Sequence, residues 1–200
     1  MRIIAGDNKG FVLKTPAGME TRPTLSRVRE SLFSIIQHDI AGARVADLYA
    51  GSGALGFEAL SRGAESCVFV EKSRGALEVV RANAKKLRVE DRSRIAGEDV
   101  LRFLRKFSVE LEQAGTIGRL TLVFLDPPYG DGIASRTLDA LGETPLMAPE
   151  ALVVAQCGAQ EKVPDRSGAL VLVRSQRYGE TALHFYRVRA ADDLSGTAGD

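Results

Sequence analysis

Apolar residues recur along this chain at two periods, and the order in which those periods alternate predicts its architecture. Leu25, Val28, Leu32, Ile35 and Ile36 follow one another at three- and four-residue intervals, which puts one apolar stripe on a helix whose other face carries Arg27, Arg29 and Glu30. Thr24 is its candidate N-cap. From Ala43 onward, short apolar runs alternate with helical patterns: strand 43–49, helix 54–62, strand 66–71, helix 74–87, a short strand near 94–97 and a helix over about 100–107. A charged loop, strand 120–125, a helix near 135–141 and strand 151–157 follow. Such alternation predicts a mostly parallel sheet wrapped on both faces. The two β-rich runs at 169–177 and 181–189 stand too close together for a helical crossover, so the sheet is expected to end in an antiparallel hairpin. At the other end, apolar runs 2–5 and 11–13 flank Gly6-Asp-Asn-Lys-Gly10 and read as an N-terminal β-hairpin.

Two hundred residues with 44% hydrophobic content bury one proper core, so one domain with small additions is expected. We divide the chain into an N-terminal hairpin and helix extension (1–40), a main domain (41–189) and a disordered acidic tail (190–200). No stretch approaches the ~20 apolar residues of a membrane span, and the first residues lack the apolar core of a signal peptide, which predicts a soluble cytoplasmic protein. Cys67 and Cys157 lie in apolar runs without paired spacing and only two histidines accompany them, so buried reduced thiols and no metal site are expected. Charge changes the picture more. Residues 1–30 hold Arg2, Lys9, Lys14, Arg22, Arg27 and Arg29 against Asp7, Glu20 and Glu30, although the whole chain carries a net charge of only +1. A basic front end suits a polyanionic partner or, more plainly, a solvated face.

The first strand of the main domain runs into Gly51-Ser52-Gly53-Ala54-Leu55-Gly56, a G-x-G-x-x-G turn that opens the next helix. Glycines there permit positive φ and close backbone approach, and the helix start offers free N–H donors. Glu71, followed by Lys72, ends the next strand 20 residues after Gly51, where a carboxylate accepts hydrogen bonds from a ribose diol. Asp47 precedes the turn by four residues. A carboxylate there opposes a pyrophosphate but attracts the ammonium and sulfonium of S-adenosylmethionine, unless it merely caps the glycine turn. Asp99, next to Val100, follows the third strand, where it can accept from an adenine amine, cap the following helix, or both. Asp126 follows the fourth strand in Asp126-Pro127-Pro128-Tyr129. Four strands thus deliver four acids to one sheet edge, where an open α/β sheet binds its ligand. Two prolines remove two N–H donors beside Asp126, so acceptors face the substrate without competing donors, and Tyr129 supplies a stacking face. An acceptor cluster of this kind recognises an amino group.

In these residues the sequence resembles class I methyltransferases with the (D/N)-P-P-(Y/F) signature. Met1-Arg-Ile-Ile-Ala-Gly6, Arg22-Pro-Thr24, Arg27-Val-Arg-Glu30, Asp47 to Gly56, Glu58 to Ala64, Phe69-Val-Glu71 and Asp126 to Tyr129 look like the RsmD family of bacterial 16S rRNA guanine-N2 methyltransferases. The resemblance covers roughly 1–189 and implies a seven-stranded class I methyltransferase sheet with S-adenosyl-L-methionine as cofactor. It implies that Asp47 and the turn Gly51, Ser52, Gly53, Gly56 hold the methionine part, Glu71 with Lys72 the ribose, Asp99 with Val100 the adenine, and Asp126 to Tyr129 the guanine. The basic residues Arg2, Lys9, Lys14, Arg22, Arg27 and Arg29 would meet 16S ribosomal RNA, in a small-subunit assembly particle, with the enzyme a monomer. Ser26 and Gln156 depart from the family pattern, which has Asp and Glu there. Methylation of DNA adenine, DNA cytosine or a protein side chain, a non-catalytic RNA-binding assembly factor, and a dinucleotide oxidoreductase are the competing readings.

Overall fold

A computed structural model describes residues 1–16, 23–114, 118–128, 130 and 132–189 of the chain. Helix α1 (Pro23–Ile35) precedes β1 (Arg44–Leu48), α2 (Ala54–Ser61), β2 (Ser66–Val70), α3 (Arg74–Leu87), β3 (Ser93–Ala96), α4 (Val100–Ala114) and β4 (Leu120–Leu125). Then come α5 (Ile133–Gly142), β5 (Met147–Gly158), β6 (Arg166–Ser167), β7 (Leu170–Tyr178) and β8 (Thr181–Val188). The strands form one sheet in the order β3-β2-β1-β4-β5-β8-β7-β6. Pairs from β3 through β5 are parallel and the rest antiparallel. Because β1 is flanked by β2 on one side and β4 on the other, the strand order reverses at β1, and the crevice at its carboxyl end is where such sheets bind ligands.

Successive strand residues face opposite layers, as the pleat requires. Leu122 and Phe124 join Phe33, Phe57 and Val80 beneath α1, α2 and α3, whereas Val123 and Leu125 join Phe103, Leu104 and Leu138 beneath α4 and α5. Cys67 and Cys157 are both buried free thiols.

The structure departs from the sequence reading in several places. Among the described residues the sheet has eight strands rather than seven, the extra one being the two-residue β6. Helix α4 continues to Ala114 because 108–114 contains no glycine or proline to stop it, although its charged residues read as a loop. The N-terminal hairpin forms as expected but is short: around the antiparallel Arg2–Val12 bridge, Ile3 N–H donates to the Phe11 carbonyl at 2.9 Å, Gly10 N–H to the Ile3 carbonyl at 3.0 Å and Leu13 N–H to the Met1 carbonyl at 2.7 Å. Thr24 lies inside α1, which starts at Pro23, so it is not the N-cap. Residues 17–22, with Arg22, and the tail 190–200 lie outside the described residues.

Polar side chains, rather than strand pairing, hold the N-terminal segment in place. Fully buried Glu58 of α2 accepts the backbone N–H of Ile4 at 2.7 Å and of Ala5 at 3.1 Å, and Arg62 Nε donates to the same carboxylate at 2.7 Å. Ser61 Oγ donates to the Ala5 carbonyl and accepts from the Asn8 N–H. Asn83 of α3 brackets Lys14: its Oδ1 accepts the Lys14 N–H at 2.8 Å, while its Nδ2 donates to the carbonyls of Lys14 and Ser52 at 3.0 Å each. The segment is thereby pinned to the glycine turn, and Ile3 and Leu13 enter the core under α2 and α3.

Candidate functional site

The carboxyl ends of β1 to β5 open into a cavity of about 640 Å³, within the ~300–1,000 Å³ usual for small-molecule sites. One wall contains Gly51, Glu71, Lys72, Asp99 and Val100. Gly51 and Gly53 take φ of 55° and 77°, which the turn after β1 needs in order to open α2. Gly56 answers a different need: a Cβ there would lie 2.4 Å from the Phe69 ring and 2.6 Å from Cys67 Sγ, so only glycine lets α2 sit on β2.

Glu71 presents a fixed acceptor at the cavity. Its Oε2 takes the Gly51 N–H at 3.0 Å and its Oε1 the Ser73 N–H at 2.8 Å, which locks the carboxylate while leaving lone pairs on both oxygens. Asp99 Oδ1 accepts the Arg102 N–H at 3.2 Å, the N-cap role, and Asp99 also lines the cavity. These fixed acceptors beside a glycine turn fit the ribose and adenine of S-adenosylmethionine.

Asp47 occupies the capping place that its position before the turn also allowed. Its side chain is 2% exposed, it is absent from the cavity wall, and its Oδ2 accepts the Gly56 N–H at 2.9 Å. The carboxyl caps α2 from beneath rather than reaching toward a ligand, because β1 points it into the core at Phe69 and Phe124. Burial pushes its pKa up to about 8, partly opposed by the Gly56 hydrogen bond. Ser52, Gly53 and Gly56 likewise shape the turn from outside the cavity wall.

Across the cavity stand Asp126, Pro127 and Pro128; Tyr129 lies outside the described residues. Gln156 Nε2 donates to Asp126 Oδ1 at 2.9 Å. Burial raises Asp126 to about 7, and the Gln156 hydrogen bond holds it below where desolvation alone would take it. Residues that the sequence reading missed complete the wall. Tyr49, bent to φ 64° just after β1, shares a hydrogen bond with Thr137 Oγ1 at 2.9 Å, and Pro16 arrives from the docked N-terminal segment. The positive φ of Tyr49 left no local trace, since turns of that kind usually take glycine. Glu180 and Thr181 reach the wall from the turn between β7 and β8.

The N-terminal cations divide. Arg2, Lys9, Lys14 and Arg27 are exposed. Arg29 is not: it is 7% exposed and donates from Nη2 to the Arg2 carbonyl at 2.6 Å, so its place on the solvent face of α1 is corrected. It follows Val28 into the interior because the apolar stripe of α1 is broad enough to bury the position beside it. Among the described residues there is no cluster suited to a metal ion, and no helix is long and apolar enough to cross a membrane.

The model of a family described as conserved hypothetical protein 95 matches residues 1–187. The candidate rRNA methyltransferase YlbH of Bacillus subtilis is 36% identical over 189 residues, covering 94% of this chain and all of the relative. Ribosomal RNA small subunit methyltransferase D of Escherichia coli is 32% identical over 190 residues, 95% of this chain and 91% of the relative. Among solved structures, the candidate methyltransferase yhhF from Escherichia coli has a TM-score of 0.80 at 30% identity, with 95% and 98% of the two chains covered. An RNA methyltransferase from Salinibacter ruber, solved with S-adenosyl-L-homocysteine, shares the fold at TM-score 0.58 and 17% identity, over 88% and 99% of the chains.

Proposed function

This chain belongs to the conserved hypothetical protein 95 family, the RsmD-type rRNA methyltransferases, and on that premise we propose that it methylates the exocyclic N2 amine of a guanine in 16S ribosomal RNA. It is an S-adenosylmethionine-dependent methyltransferase with the class I fold. The carrying observation is that Asp126-Pro127-Pro128 opens onto the same cavity as Glu71 and Asp99, so a substrate amine and a nucleoside cofactor share one space.

When bound, S-adenosylmethionine supplies an electrophilic methyl group on its sulfonium. Glu71 and Asp99 hold the ribose and adenine side, and the turn from Gly51 to Gly56, capped by Asp47, shapes the remainder of the cradle. On the substrate side, Asp126 Oδ2 accepts a proton of the guanine amine. That hydrogen bond draws the nitrogen lone pair out of conjugation with the ring and directs it toward the methyl carbon. Asp126 or solvent would take the proton that the amine gives up on methylation. Pro127 and Pro128 contribute no N–H, so nothing competes with the amine for Asp126. Tyr129 serves as the stacking face for the base.

Residues 1–40 act as the RNA-facing extension, 41–189 as the methyltransferase domain, and 190–200 as an acidic tail. The protein works as a cytoplasmic monomer on a small-subunit assembly particle. Mass spectrometry of small-subunit rRNA from cells lacking the gene tests this: one N2-methylguanine is expected to disappear and to return with the wild-type gene but not with Asp126→Ala. An unchanged set of methylated guanines would overturn the reading. Restoration of the mark by Asp126→Ala would overturn the chemistry.

A further inference from the structure

The register of β4 against β5 places Leu125 opposite Ala155, so Asp126 and Gln156 emerge side by side at the carboxyl edge of the sheet. Both line the cavity, and Gln156 Nε2 donates to Asp126 Oδ1 at 2.9 Å. This contact fixes the sense of the amide. Gln156 keeps its second Nε2 N–H and its Oε1, and of these only Oε1 can take a proton from a ligand. Asp126 keeps Oδ2, also an acceptor when ionised. The neighbouring prolines add no donor. The substrate wall therefore presents two adjacent acceptors.

Among the bases with an exocyclic amine, guanine alone has a ring N–H beside that amine on its Watson–Crick edge. Adenine and cytosine place a ring lone pair there instead. Resting on the guanine reading above, we propose that Gln156 determines base specificity: Asp126 Oδ2 takes a proton of N2 while Gln156 Oε1 takes the proton of N1. A base with a lone pair at that ring position would face Oε1 with like charge and leave it without a donor in a desolvated site. With Asp126 ionised, rotating the amide offers no escape, because it would set Oε1 against the Asp126 oxygen.

The test uses small-subunit particles rebuilt with a 16S fragment carrying the guanine identified by mass spectrometry, or with a second fragment that has 2-aminopurine at that position, which keeps the N2 amine but has a lone pair at N1. Wild-type enzyme is expected to prefer guanine in kcat/KM by roughly ten- to a hundredfold, the usual discrimination of a paired base contact. Gln156→Leu should shrink that preference to within about threefold, as loss of the contact requires. Its S-adenosylmethionine affinity by calorimetry should match wild type, which reports an intact fold. Gln156→Glu, which still offers an acceptor, should keep the preference. Equal wild-type rates on the two fragments, or a preference that survives Gln156→Leu, would overturn the proposal. If Gln156→Glu loses the preference as fully as Gln156→Leu, Gln156 only orients Asp126 and the acceptor role fails. If wild-type enzyme binds S-adenosylmethionine but methylates neither fragment in these particles, the reading of this chain as the enzyme that makes the mark falls and the base-reading role falls with it.

Discussion

Glu58 and Ile4 lie 54 residues apart in sequence, yet the buried carboxylate of the first accepts the backbone N–H of the second at 2.7 Å. The same carboxylate takes the Ala5 N–H and pairs with Arg62. One acid inside α2 therefore fastens the N-terminal segment to the methyltransferase domain.

Glu58→Ala is expected to leave two part-buried N–H groups and Arg62 without their acceptor, at a total cost of about 3 kcal/mol. For a chain of this size that lowers Tm by roughly 6 to 12 °C. Differential scanning calorimetry measures it, and limited proteolysis should cut the variant first within residues 1–16. A Tm within about 2 °C of wild type would mean the clasp contributes less than one ordinary hydrogen bond.

Asp47 makes stability depend on pH in an unusual sense for an acid. Its folded pKa is raised to about 8, so between the ordinary carboxylate range and pH 8 the folded protein holds a proton that the unfolded chain has released. Stability contributed by this group is therefore lost as pH rises through that window. Asp47→Asn keeps an oxygen for the Gly56 N–H and cannot ionise, so its Tm should fall less than that of wild type between pH 6 and 8.5. Parallel Tm curves for the two proteins would show that Asp47 does not titrate there.

Asp126, raised to about 7 by burial, should impose an acid limb on kcat/KM, because only its ionised form is the stronger acceptor for the amine. Activity is expected to climb with pH up to about 7 and then level off, while Asp126→Asn loses most activity, loses the limb, and binds S-adenosylmethionine with unchanged affinity. Removal of the Gln156 hydrogen bond, which favours the ionised form, should move the limb to higher pH. A limb that stays at the same pH in both variants would assign it to another group.

Exposure separates two arginines that stand two residues apart on α1. Replacing exposed Lys14 and Arg27 together should flatten the salt dependence of RNA binding by about 1.4 to 1.8 in log–log slope if each meets one phosphate. Arg29→Met should leave that slope alone, since a cation held inside at 7% exposure has no phosphate to neutralise. S-adenosylmethionine affinity serves as the common control. An unchanged slope for the Lys14 and Arg27 double variant would make those cations solvated surface only.

The order of elements, the parallel sheet and the positions of Glu71, Asp99 and Asp126 after successive strands were legible in the sequence alone. Apolar period, glycine turns and proline pairs act over a few residues, so local pattern carries them. Where a pattern is locally ambiguous, as in the charged second half of α4, the sequence reading misjudged the element. Tertiary structure alone decided what each acid and cation does. Glu71 lines the cavity and Asp47 caps α2, because Asp47 sits within β1, opposite Phe69, and the core closes over it while Glu71 stands just past the end of β2. Arg29 turns inward beside Arg2, Asn83 joins Lys14 to the glycine turn across 69 residues, and Gln156 meets Asp126 only through the pairing of β4 with β5. Such contacts depend on which distant segments pack together, and no period along the chain encodes that choice.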